Sequence, residues 1–551
     1  MQKAFEMGKT SATGSFQLLI GVAVSTIILA VSAIILGRLL TTSEYGLYGI
    51  VLVPATLINL FRDWGINSAM TKYIAGLRDT GREQEIHDYI VAGIIFEVAS
   101  GIALSFLSLG LASFIASAVF NKPASWSYIA IVSASIISGS LLAAAQAGFI
   151  GYERMGLNSF TLICQAIIRT IIGPGLVILG YGVLGATLGF TTGAAAGGLI
   201  GLAVFYLALL RPLTKKLAKD PGTPPKNSTS KTLRTMLNYG VPLSIGSILT
   251  GILAQVYAFI VIPLTSETIY GNYVVAGNFT VLLTFITTPI ATVLFPAFAK
   301  LDPQKEIELV KNVFASSVKY TSILVVPATM FLMSLSGPIV GALYGTKYVS
   351  APFFLTIYVI GNLFVVLGSL SISGFLYGLG ETRIVMIQSI ATVAIGFPLG
   401  IALIPTFGVT GLIVASIVAG IPSMFWALYW IWKHYEAKAD FPSSAKIFAA
   451  SILAAIPAYL MATFLQKAFV SHATVRSYAP WIELALGLIV FLTIYVLGAP
   501  LIGAVSLSDI NNLRTMFSSM STISKIIDIP LKAAEKAARA KSANRKEGEK
   551  P

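Results

Sequence analysis

Long, predominantly apolar runs recur along the whole chain, and short stretches between them hold nearly all of the charge. A helix needs about 20 apolar residues to cross about 30 Å of hydrocarbon. Qualifying runs lie near 12–36, 46–66, 89–115, 127–150, 159–180, 182–210, 238–262, 268–296, 319–343, 352–378, 384–406, 408–432, 447–466 and 480–503. The pattern predicts about fourteen transmembrane helices. The turns are shortest within 159–210 and 384–432, where Tyr181-Gly182 and Thr406-Phe407-Gly408 act as breakers. The first run is too long, and starts too far inside the chain, for a cleaved signal peptide, and reads as a permanent span. Residues 302–318 alternate charged and apolar positions at helical spacing, predicting an amphipathic helix on the inner surface between spans 8 and 9. Residues 525–546 read similarly but are more basic, and the last dozen have the composition of a disordered end.

Composition makes the membrane reading firm. Of 551 residues, 56% are apolar and only 11% charged, against about 25% charged in soluble domains. So much apolar surface does not fit one soluble core, which leaves an all-α integral membrane protein. The net charge of +14 would suggest nucleic acid in a soluble protein. Here it follows topology. With the N-terminus inside, 31 of the 37 Lys and Arg fall in inner segments and five in outer loops (Arg38, Lys122, Lys347, Lys467 and Arg476), while Arg169 sits within a span. Inner loops carry such an excess, so both termini are expected in the cytoplasm, across the cytoplasmic membrane. The basic 211–234 loop and the tail then need no partner beyond anionic lipid. The single cysteine, Cys164, excludes an internal disulfide, and His87, His434 and His472 are too scattered to suggest a metal site.

The chain also repeats itself. Tyr45-Gly46 recurs as Tyr270-Gly271 and Lys122 as Lys347, each 225 residues on. Gly148-Phe149 recurs as Gly374-Phe375, and Gly182-Val183-Leu184-Gly185 as Gly408-Val409-Thr410-Gly411, each 226 residues on. The unit is six spans. An even number gives both copies one orientation, related by an axis along the membrane normal, as in two-lobed secondary transporters. The expected domains are an N-terminal lobe (1–210), a basic cytoplasmic linker (211–236), a C-terminal lobe (237–432), two further helices (433–503) and a basic cytoplasmic tail (504–551).

These residues resemble a known family. Arg38-Leu39-Leu40 followed by Glu44-Tyr45-Gly46-Leu47-Tyr48 is similar to the first outer loop of polysaccharide-biosynthesis flippases. Asp63-Trp64-Gly65-Ile66 leading to Lys72-Tyr73-Ile74-Ala75 looks like the end of their second span. Gly240-Val241-Pro242-Leu243, Phe295-Pro296-Ala297-Phe298 and Tyr344-Gly345-Thr346-Lys347-Tyr348 also fit. These flippases are oligosaccharide exporters of the multidrug/oligosaccharidyl-lipid/polysaccharide superfamily, and the resemblance runs from about residue 10 to 435. It implies a central cavity lined by spans 1, 2, 7 and 8, alternating access, and a lipid-pyrophosphate-linked oligosaccharide as substrate. One departure affects the cavity. Members often carry a charged pair midway through span 7, where this chain reads Gln255-Val256-Tyr257.

Rare charges inside spans are the first candidates for chemistry, because each costs at least about 2.5–3.5 kcal/mol at mid-bilayer. Arg169 in span 5 and Glu97 in span 3 lie at similar depths. They read either as a cavity cation with its counter-ion or as a buried pair holding two helices together. Arg38 and Glu44 flank the outer end of span 1, as interfacial anchors or gate residues. Arg62 and Asp63 stand at the inner end of span 2, where a pair could close the inner mouth. Gln17, Gln255 and Asn278 offer amides that suit sugar hydroxyls, and equally suit interhelical hydrogen bonds. Gly185, Gly189, Gly193, Gly197 and Gly201 leave one face of span 6 bare for close helix packing.

The reading is therefore a flippase for lipid-linked oligosaccharide, with glycan-assembly enzymes as candidate partners and no nucleic acid. The alternative is a cation-coupled drug exporter, which needs a deep carboxylate for H⁺ or Na⁺, and only Glu97 lies well inside a span. No cofactor is implied, and a coupling ion stays open. A glycosyltransferase would need an acidic metal-holding motif on an outer loop, and nucleotide-driven transport would need a phosphate-binding glycine loop. The sequence offers neither, so a transporter rather than an enzyme is expected.

Overall fold

The computed structural model describes residues 2–218, 228–469, 478–517 and 528–539. His472, Arg476, the 219–227 part of the basic linker and the last dozen residues lie outside them. The described chain is helical throughout, with no strand among the described residues. Ten of its helices are long and apolar enough to cross a membrane, or eleven if one bent pair counts as a span. Two of the ten are hairpins of two helices each, and α2, with 18 residues, is borderline in length, so the predicted fourteen is consistent with this count. Phe106, Ile178, Leu179 and Phe464 project from these helices as fully as surface lysines do. Lipid is the solvent that tolerates them.

The contacts divide the chain into two compact units, residues 1–274 with 397–412 and residues 275–396 with 413–551. In the first, α1 (Gln2–Leu39) is followed by α2 (Thr42–Asn59), a short α3 (Ile66–Leu77), α4 (Glu83–Phe114) and α5 (Trp126–Gly151). Then come α6 (Met155–Leu176), α7 (Gly182–Phe205), a short α8 (Arg211–Leu217) and α9 (Thr229–Val261), with α10 (Glu267–Asn278) leaving the unit partway along. Ile66, Met70, Ile90, Phe149, Phe205 and Met236 form its core. The bare face of α7 lies where the glycine spacing placed it. A Cβ on Gly189 would sit 2.1 Å from the Gly173 backbone of α6, and one on Gly193 would sit 2.5 Å from the Cβ of Arg169.

The second unit continues with α11 (Thr280–Ala299), α12 (Ile307–Ser334), α13 (Ser336–Tyr344), α14 (Ala351–Val359) and α15 (Ser369–Gly378). The last two, with a tighter helical stretch over Ile360–Leu367, make the bent pair, turning by 55° at Gly368. Then follow α16 (Thr382–Tyr435), α17 (Phe441–Phe469), α18 (Ala479–Ile502) and α19 (Leu507–Phe517). Phe298, Phe314, Phe375 and Ile431 anchor its core.

The chain between Leu301 and Glu306 is not helical, and α12 runs unbroken from Ile307 to Ser334. The amphipathic stretch is thus no separate surface helix. Val310, Phe314 and Val318 are buried, and Lys311 binds Glu308 and Glu436 on the opposite face. After the last span, α19 docks back through Lys319 Nζ, 2.7 Å from Asp509. Burial alone would raise the Asp509 carboxyl. The Lys319 ammonium and the Ser506 hydroxyl and backbone N–H outweigh it and hold the group below the usual carboxylate range.

The repeat is visible in the backbone. α6 and α7 join through Gly182 at φ 48°, ψ −129°. The corresponding turn inside α16 passes through Gly408 at φ 57°, ψ −131°. Side chains other than hydrogen strain this conformation.

Candidate functional site

α2 begins with a capping box. The Thr41 hydroxyl accepts from the Glu44 backbone N–H at 3.2 Å, and Glu44 Oε2 accepts from the Thr41 N–H at 2.8 Å. Two orphan donors at the helix start are satisfied this way. Glu44, a gate candidate, is therefore occupied in starting α2. Arg38 is exposed in the last turn of α1.

The other end of α2 builds a polar cluster. After Asn59 the chain turns sharply, with Trp64 and Gly65 at φ 47° and 79°, and α3 starts at Ile66. Asp63 Oδ1 accepts from the Asn67 backbone N–H at 2.8 Å, tying off that first turn. Arg62 Nη1 lies 3.4 Å from Glu97 Oε2, and their side chains are 12% and 0% exposed. Asn67 Nδ2 donates to Glu97 Oε1 at 2.7 Å. Glu97 is thus held by a guanidinium and an amide, the compensation a buried carboxylate requires.

Arg169 was expected to be the partner of Glu97, and the structure corrects this pairing. α4 packs chiefly on α5 and α3, whereas α6 packs on α1 and α7. Equal depth did not bring the two side chains onto facing surfaces. Arg169 Nη2 donates instead to the Tyr48 hydroxyl at 3.2 Å, and its guanidinium carbon lies 4.5 Å from the Phe190 ring centroid. No carboxylate lies within ion-pair distance of Arg169 among the described residues. A guanidinium has five N–H donors, and Tyr48 takes one.

α2 also touches helices of the second repeat at both of its ends. At its start, a Cβ on Gly46 would lie 1.8 Å from the Glu267 carbonyl oxygen, and one on Gly271 would lie 2.3 Å from that of Thr42. Equivalent glycines of the two copies thus meet each other. Beside them Glu267 accepts from the Ser43 hydroxyl at 3.0 Å and lies 3.3 Å from Lys122 Nζ. Past its far end, Gly65 packs backbone to backbone with Gly240 of α9. Lys72 Nζ lies 3.6 Å from the Tyr239 ring centroid there, a favourable cation–π contact. Sequence reasoning missed these closures. The repeat offset linking Gly46 to Gly271 was the available signal, since residues next to a symmetry axis meet their own copies.

The remaining candidates are dispersed. Gln17 is exposed on α1, and its carbonyl accepts from Ser159 at 2.9 Å. Gln255 is half-buried on α9, two residues from the buried Tyr257. Asn278 belongs to the second unit, where its Nδ2 donates to the Tyr344 hydroxyl at 3.1 Å. That unit also holds a cavity of about 350 Å³ lined by Ser369, Gln388, Thr392, Ser416 and Ser423. Sequence reasoning did not single it out, because Ser and Thr in spans ordinarily bond to their own helix. No group of three or more His, Cys, Asp or Glu suited to a metal occurs among the described residues.

Two family models match this chain. That of the polysaccharide biosynthesis protein family covers residues 11–302, and that of the lipid II flippase MurJ covers residues 172–507. A protein described as a probable low-salt glycan biosynthesis flippase, Agl15 of Haloferax volcanii, is 23% identical over 67% of this chain and 71% of its own length. The probable lipid II flippase MurJ of Rhizobium meliloti is 26% identical over 60% of each chain. Among solved structures, lipid II flippase MurJ in an inward closed conformation matches with a TM-score of 0.67 at 17% identity, covering 87% of this chain and 97% of that one.

Proposed function

The chain belongs to the polysaccharide biosynthesis protein family, and from that premise we propose that it flips a lipid-linked oligosaccharide across the cytoplasmic membrane by alternating access. No covalent bond changes in such a cycle, so it is a transporter and not an enzyme. The observation that carries the substrate class is Arg169. A membrane-embedded guanidinium whose described partners are a phenol hydroxyl and a ring face leaves donors free for an anion, and pyrophosphate is the anion of a lipid-linked glycan. The sugars need a hydrogen-bonding path, since unsatisfied polar groups in hydrocarbon cost several kcal/mol each. Opening and reclosing the glycine contacts at the two ends of α2 would expose that path to one side and then the other. The excess of Lys and Arg in alternate loops supports cytoplasmic termini.

The test is flipping by the purified protein in liposomes carrying a lipid-pyrophosphate oligosaccharide. The intact protein should expose the glycan in the opposite leaflet well above empty liposomes, and Arg169→Ala should fall to that background while keeping its thermal stability. Wild-type rates in Arg169→Ala would remove Arg169 from the site. An absence of flipping with several such lipids would favour a cation-coupled exporter.

A further inference from the structure

α17 and α18 lie outside the repeat, and they carry a buried carboxylate without a partner. The buried stripe of α18 includes Ala479, Glu483, Gly487 and Phe491, spaced one helical turn apart. Its neighbours are apolar and close. A Cβ on Gly341 of α13 would meet Pro480 at 3.2 Å, and one on Gly487 would meet Leu335 at 2.7 Å. Phe491 packs edge-on against Phe331 at 5.6 Å. Glu483 interrupts this apolar seam. It is 5% exposed, and it makes no hydrogen bond or ion pair among the described residues. An unpaired buried charge is strongly unfavourable, and the flanking residues show that small apolar side chains pack well here.

Glu483 instead lines a cavity of about 380 Å³, with Tyr348, Phe469, Gln466 and Thr346 on its walls. Two further wall residues, Gly337 and Gly345, would carry a Cβ into open space. The volume is within the usual range for small-ligand sites. The nearby Lys347 lies over the Tyr348 ring at 5.5 Å from its centroid, so its ammonium is directed to that ring. The cavity sits where α17 ends and α18 begins, at the level of the Tyr344–Tyr348 loop, and thus at the boundary between hydrocarbon and headgroups.

We propose that this cavity binds a primary ammonium group. Glu483 supplies the counter-charge, the Gln466 side-chain carbonyl a second acceptor, and the Tyr348 and Phe469 rings the faces that favour a cation. The ammonium arrives either on a lipid headgroup or on a free amine. The site is independent of the transported glycan, so its test does not depend on flipping.

The purified full-length protein would be titrated with phosphatidylethanolamine and with phosphatidylglycerol, with binding read by native mass spectrometry. The wild type should prefer the ethanolamine lipid by at least tenfold. Glu483→Gln, nearly isosteric, should abolish that preference, as should Gly337→Phe, which fills the cavity and leaves the carboxylate in place. Gly337→Phe decides alone should Glu483→Gln fail to fold. Free ethanolamine that displaces the lipid assigns the site to soluble amines, and failure to displace assigns it to the headgroup. No headgroup preference in the wild type, or an undiminished one in either folded variant, overturns the proposal.

Discussion

Arg62 and Arg169 are both drawn into the first unit, and they meet opposite company. Arg62 leaves the turn after α2 and reaches a fully buried carboxylate, which Asn67 also holds. Arg169 projects from the middle of α6 onto a phenol and a phenyl ring, both neutral. The first cation is compensated within the protein, so it ties α2, α3 and α4 together. The second is oriented but not neutralised. An oriented guanidinium with donors left over is a place for something that comes and goes, whereas a closed ion pair is a fixed part of the fold.

The sharpest way to break this contrast is Glu97→Ala. Removing one partner of a buried pair leaves a charge without compensation, which costs about 3–5 kcal/mol, seen as a large fall in thermal midpoint in detergent. Arg62→Leu with Glu97→Leu should recover most of it. If Glu97→Ala is neutral, the cluster is not the fastening described above. Arg169→Ala should leave the midpoint nearly unchanged and weaken binding of a lipid pyrophosphate by about 1.5–3 kcal/mol, as for hydrogen bonds to charged groups, roughly ten- to hundredfold in a ligand titration. Gly193→Val comes third. Its side chain would meet the Arg169 Cβ, already 2.5 Å from where a Cβ on Gly193 would stand. The overpacking should cost about 1–3 kcal/mol and reduce flipping together with stability, unlike Arg169→Ala. Smallest is Tyr48→Phe, which removes one hydrogen bond worth about 0.5–1.5 kcal/mol and loosens Arg169 without removing its charge. Its flipping rate should lie between those of the wild type and Arg169→Ala.

Much of this was legible from residues alone. Helix number follows from apolar run length, and the close packing of α7 on α6 follows from glycines at every fourth position. The partner of Glu97 was not legible. Depth along a span can be counted in residues, but the direction a side chain faces depends on which helices become neighbours. Arg62 was visible only as a charge at a helix end, and the Trp64-Gly65 turn aims it inward. The start of α12 was misread for a related reason. The alternating pattern over 302–318 is amphipathic, and one face of a long helix packed on its own unit gives the same signature as a helix lying on a membrane.

Gly182 and Gly408 carry one more consequence. Their torsion angles differ by only a few degrees across 226 residues of chain, although the sequences around them have drifted far apart. Once a gene has doubled, each half is free to exchange side chains wherever another can be fitted. A backbone angle closed to every L-residue permits no such exchange, because each codon one step from glycine's encodes a side chain that would strain the turn or ends translation. The two hairpins therefore keep the ancestral bend as a fossil, long after most of the surrounding lettering has been rewritten.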